Sequence, residues 1–124
     1  MEINLLSKQL KRIKGLIVLA LIDAYDGSIL EYFGDEFFNI DLAAAEGVNL
    51  LSYQRQLMTE LDSNDYLEGV LVTMRDQYHI VTPLETNHTL FLYAVLDRTD
   101  TNLAFARYEI QQVERNLVVF QKVC

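Results

Sequence analysis

Cysteine is nearly missing from this chain of 124 residues: Cys124 is the only one. A single cysteine excludes an intramolecular disulfide, which fits a reducing compartment, so a cytoplasmic location is expected. As the last residue it forms no C-a-a-X prenylation box. Proline also occurs once, at Pro83, and the five glycines are scattered singly. There is no linker, low-complexity tract or internal repeat, and neither G-x-x-x-x-G-K-[ST] nor G-x-G-x-x-G occurs. Histidine is limited to His79 and His88. Neither has a Cys, His or acidic partner at metal-ligand spacing. Asp23, Asp26, Asp35 and Glu36 fail the D-x-[DN]-x-[DN]-G calcium pattern and read as solvated turn residues. No catalytic residue, metal or cofactor is expected. The apolar run Leu16–Ile22 follows a basic segment and faintly imitates a secretion signal. It is too short to cross a bilayer, and Asp23 and Asp26 follow it closely. A buried strand explains it better, and no stable membrane insertion is expected.

Half of the residues are apolar, enough for one packed core in a single domain spanning 1–124. The net charge of −8 is uneven. Lys8, Lys11, Arg12 and Lys14 make the start basic, whereas Arg55 is the only base among eleven acids in residues 21–68. An acidic chain repels phosphate backbones, so nucleic acid is not an expected partner. A solvated helix face accounts for the basic cluster more simply than an anionic surface does.

Ile3, Leu6, Leu10 and Ile13 recur at helical spacing, and Gly15 is a stop signal. Leu16–Ala24 is apolar on both faces, as an interior strand is. Asp26-Gly27 predicts a tight hairpin turn into a second strand, Ser28–Phe33. Asn39 or Asp41 caps a helix running to about Asp62. Three strands follow: Val70–Met74, Tyr78–Leu84 and Leu90–Leu96. Pro83 has no amide to donate and belongs near a strand end. Leu103, Ala106, Ile110, Val113, Leu117 and Phe120 form one continuous stripe on the last helix. Val118–Cys124 is a short tail.

The middle helix carries more apolar surface than one sheet face needs. One stripe holds Leu50, Tyr53, Leu57 and Leu61. Another holds Leu51, Gln54 and Met58, continued by the small residues Ala44 and Gly47. One stripe is expected to be core and the other to be covered by a second copy of the chain. Tyr53 is the aromatic candidate for an interface anchor.

Val70–Met74, Tyr78-His79-Ile80-Val81-Thr82-Pro83-Leu84, Leu90–Asp97 and Asn102-Leu103-Ala104 with Arg107 together resemble the second half of a roadblock (dynein light-chain) domain. With Leu16–Ala24 and Asp26-Gly27, the resemblance covers roughly residues 4–117. It implies an α/β (α+β) sandwich of the profilin-like roadblock type. The five-stranded antiparallel sheet would have order 2-1-5-4-3, with one long helix on one face and two on the other. That order places the two fully apolar strands side by side in the middle.

Roadblock domains mostly dimerise and hold other proteins, and prokaryotic single-domain members act with small Ras-like GTPases. The resemblance therefore implies a homodimer through the second helix and third strand. The expected interface is Gly47, Leu50, Leu51, Tyr53, Gln54, Leu57, Met58, Leu61, Val70 and Val72. It also implies a small Ras-like GTPase as partner, with Gln54, Arg55 and Glu60 as expected contacts. A different class of function remains as an alternative: a sensor or small-ligand-binding domain of profilin or PAS-like type, with its ligand between sheet and helices.

Overall fold

The computed structural model describes residues 7–123. Ile3 and Leu6 of the expected first helix, and Cys124, lie outside the described residues. The chain forms α1 (Ser7–Leu10), β1 (Leu16–Asp23), β2 (Ile29–Gly34), α2 (Ile40–Glu60), β3 (Val70–Thr73), β4 (Gln77–Pro83), β5 (Leu90–Asp97) and α3 (Leu103–Val123). The strands make one antiparallel sheet of order β2-β1-β5-β4-β3. This is the element order and strand order that the sequence and its resemblance imply.

β1 and β5 are apolar throughout because both their faces are covered. Leu19, Leu21, Leu92, Ala94 and Leu96 point to the face packed by α1 and α3. Val18, Ala20, Ile22, Phe91, Tyr93 and Val95 point to the face packed by α2. Successive residues of a strand alternate sides, so a continuous apolar run fills two cores at once. Pro83 is the last residue of β4. β3 pairs only as far as Val70 opposite Val81, so no amide is needed on the outer side of Pro83.

The β1–β2 connection is wider than the expected tight turn. The strands stop at Asp23 and resume at Ile29. The Gly27 amide donates to the Asp23 carbonyl at 2.9 Å, with φ of +79° at Gly27. The Asp23 carboxylate accepts the Tyr25 amide at 2.7 Å, and the Asp26 carboxylate accepts that of Ser28 at 2.9 Å. These side-chain bonds hold a longer loop in which the acids act as turn formers rather than ligands. Among the described residues α1 ends at Leu10, before the expected Ile13, yet Leu10 and Ile13 are buried against the sheet. Gln9 donates to the buried Glu109 of α3 at 3.3 Å, and Arg12 lies 3.9 Å from the same carboxylate. Lys14 lies 3.5 Å from Asp100, so Arg12 and Lys14 of the early bases are both matched within the chain. Asn102 caps α3 by accepting the Phe105 amide at 3.0 Å. α3 continues as helix through most of the expected tail, to Val123.

Candidate interaction surface

α2 is bounded by a side-chain cap at its start and a backbone closure at its end. The Asn39 side chain accepts the Leu42 amide at 3.2 Å, as an N-cap does. At the other end Asp62 adopts a positive φ of 57°. The Ser63 amide then donates to Met58 and the Asp62 amide to Thr59, each at 3.0 Å. This is a Schellman closure with Asp in the place glycine usually takes.

The helix lies along the strands. It starts beside β4, where Phe38 meets His79 with ring centroids 6.3 Å apart. Gly47 sits over β5, and a Cβ there would come within 2.9 Å of the Phe91 ring and 3.1 Å of Tyr93. Only glycine lets the helix approach those rings this closely. Further along, the Arg55 guanidinium donates to the His88 carbonyl in the β4–β5 loop at 3.4 Å.

That seating decides between the two apolar stripes. Ala44, Gly47 and Leu51 face the sheet, with Leu51 only 1% exposed. Gly47 and Leu51 are therefore committed to the core of their own chain, and the expected interface is corrected at these two positions. Leu50, Gln54 and Met58 are half-buried on the helix flanks, as Val70 is on β3. Tyr53 (71% exposed), Leu57 (44%) and Leu61 (68%) remain open to solvent. Leu42, which lies outside the expected set, continues the outer side at 59%. Its phase on the helix, eleven residues before Tyr53, is the signal that identifies it.

The position of this open flank follows from Val48, which lies over the β1–β2 turn near Gly27. Leu57 comes nine residues later, about half a turn around the helix. Its flank is thus turned away from β2 and overhangs the β3 side. β3 is an edge strand, with Val70 and Val72 on the α2 face opposite Val81 and His79. Leu71, on the other face of β3, and Met74, just past its end, are also exposed.

The three expected GTPase contacts do not share one face. Gln54 and Arg55 are about 100° apart on the helix, and Glu60 is about 140° beyond Arg55. Arg55 is half-buried and braces the β4–β5 loop, whereas Glu60 is exposed and accepts from Gln56 at 3.2 Å.

Under the start of α2, His79 is held from both sides. Nδ1 lies 2.6 Å from the Tyr93 hydroxyl and Nε2 lies 2.9 Å from Gln77 Oε1. A neutral imidazole satisfies both, accepting from tyrosine and donating to the amide oxygen. Burial lowers the His79 pKa. Burial, and secondarily Glu46, raises that of Tyr93. The folded chain thus binds a proton at His79 less readily than the unfolded chain, whose value is about 6.5. The stability supplied by neutral His79 is complete above that value and is lost as pH falls toward the folded pKa. Urea unfolding between about pH 7.5 and about pH 5.5 should show a loss that His79→Gln reduces. The same loss in both proteins would assign it to other groups.

Among the described residues, no group of three or more His, Cys, Asp or Glu side chains is placed to hold a metal ion. No described helix is long and apolar enough to cross a membrane.

No protein-family profile and no curated protein matches the sequence. Solved structures do match. A roadblock/LC7 domain from Streptomyces avermitilis superposes with a TM-score of 0.80 at 17% identity, over 94% of this chain and 93% of that one. The gliding protein MglB from Thermus thermophilus gives 0.80 at 15%, over 98% and 89%. An MglB with a tetrameric arrangement gives 0.75 at 17%, over 93% and 83%. Identities this low speak for architecture, and in strand order, helix placement and near-complete mutual coverage the chain has the roadblock/LC7 fold.

Proposed function

We propose that this chain is a homodimeric interaction module that binds and regulates a small Ras-like GTPase. The observation that carries the reading is the open apolar flank of Tyr53, Leu57 and Leu61, on a helix whose inner side is already core. A second copy, related by a two-fold axis, would cover that flank and meet the free edge of β3. The interface then comprises Leu50, Tyr53, Leu57 and Leu61 with Val70 and Val72, flanked by Gln54 and Met58. Burying each leucine contributes roughly 1.5–3 kcal/mol, enough in sum to offset the several kcal/mol lost to association. Self-association of a protein with this fold, the tetrameric MglB, supports the reading.

For the GTPase, the support is the roadblock fold together with the sequence resemblance to domains that act with such partners. Two α2 helices side by side form a platform from which Glu60 and neighbouring polar residues reach a partner. Such a scaffold regulates by ordering the GTPase's own switch loops and needs no catalytic group of its own. The test is binding of a small Ras-like GTPase loaded with a GTP analogue or with GDP. Tighter binding to one state is expected; equal affinity for both removes the regulatory claim, since such a ligand shifts no equilibrium. Arg55 is tied to the His88 carbonyl, so Arg55→Ala should leave any stimulation of hydrolysis unchanged. Loss of stimulation in that variant would restore Arg55 as an inserted finger.

A further inference from the structure

At the β3 edge of the sheet, an open cleft of about 280 Å³ runs between α3 and the stretch from Tyr66 to Val70. Ile80 of β4 and Ile110 of α3, both nearly buried, lie at its floor between mostly polar walls. Arg107 and Glu114 line it from α3, and Glu85 lines it from the start of the β4–β5 loop. Arg107, Ile110 and Glu114 stand at i, i+3 and i+7, one row along the helix. The two charged residues are thus two turns apart, about 10 Å along the axis, with an aliphatic side chain between them.

Both ends of the row are unsatisfied in a specific way. Glu114 is 8% exposed and accepts the Glu85 amide at 2.9 Å. Among the described residues, no ion pair within 4.0 Å includes it. Burial raises its pKa; the Glu85 amide opposes this, and the Glu85 carboxylate adds to it. A carboxylate this buried is costly without a cation against it. Arg115 also lines the cleft and acts on Glu114 only at longer range. At the other end Arg107 is exposed and makes no hydrogen bond or ion pair among the described residues. The cleft therefore offers a fixed carboxylate, an apolar middle and a free guanidinium in a line. Its complement is a molecule with an ammonium group, an aliphatic chain and a carboxylate in that order.

We propose that this cleft binds a small linear zwitterion of the ω-amino acid type, its ammonium group on Glu114 and Glu85 and its carboxylate on Arg107. The site shares only Val70 with the proposed subunit interface and none of its charged groups, so it does not rest on the GTPase reading and stands or falls separately. The ¹⁵N-labelled full chain would be titrated with 6-aminohexanoate, hexanoate and hexylamine while amide shifts are followed. Saturable shifts at Glu85, Ile110 and Gln111 are expected with 6-aminohexanoate, and much weaker ones with either single-charge analogue. Arg107→Gln and Glu114→Gln should each weaken binding about tenfold or more, the scale of one lost charge-assisted hydrogen bond. Arg107 is exposed, so Arg107→Gln keeps its fold and the test stands even where Glu114→Gln perturbs packing. No saturable shift with 6-aminohexanoate overturns the proposal. Equally tight hexylamine binding, or full affinity in Arg107→Gln, overturns it as well.

Discussion

A Leu57→Glu chain should scatter light as a folded monomer of 14.3 kDa, where the wild type should run at twice that mass. Leu57 is 44% exposed in the single chain, so a carboxylate at this position remains solvated in the monomer and leaves the fold intact. In the proposed dimer the same carboxylate would be buried against apolar side chains of the second copy with no cation beside it. An unpaired buried charge costs several kcal/mol, more than a small interface can absorb. Circular dichroism and urea unfolding of the variant separate loss of the dimer from loss of the fold. A wild type that is itself monomeric at micromolar concentration removes the homodimer. A Leu57→Glu protein that stays dimeric places the contact elsewhere. Gly47 and Leu51 are unsuitable for this test. Both are core positions of the single chain, and changing them confounds assembly with folding.

Ile110→Ala should cost about 2–5 kcal/mol of stability while leaving the mass of the assembly unchanged. Ile110 is 2% exposed in the cluster that joins α1 and α3 to β1, β4 and β5. Removing its outer carbons forfeits their transfer from water and leaves a space that β-sheet neighbours cannot close. α3 packs on the face opposite α2, so the cavity does not reach the proposed subunit contact. A urea midpoint equal to that of the wild type would show that the site collapses without cost. A change in mass with retained stability would move the subunit contact to α3.

Much of this fold was legible because it is written in local periodicity. The continuous apolar runs of β1 and β5 announced strands covered on both sides, and the single stripe of α3 announced a helix packed on one. Asn39, one of the two residues expected to cap α2, does so because the cap is a contact between residues three apart. The loop after β1 was less legible. Asp26-Gly27 is a hairpin signal, but the Asp23 and Asp26 carboxylates bond the backbone two residues on and hold a wider loop.

The candidate surface shows the same division more sharply. From the sequence, α2 carried two apolar stripes and nothing local ranked them. Strand order followed from the family resemblance, while the alternation of apolar residues followed from backbone geometry alone. Only tertiary structure decided which stripe is core. The small side of Gly47 admits the rings of Phe91 and Tyr93, and that contact turns Leu51 inward and Leu57 outward. The same seating brings Arg55 to the His88 carbonyl and separates it from Glu60. In the cleft, the row of Arg107, Ile110 and Glu114 was present in the spacing of α3. Its meaning depended on Glu85 and Ile80 arriving from the sheet. The sequence by itself determined the elements, their amphipathic faces and the missing catalytic motifs, since these depend on neighbours along the chain. The tertiary structure decided which face is free and which charge is buried, because both are set by residues far apart in sequence meeting in one place.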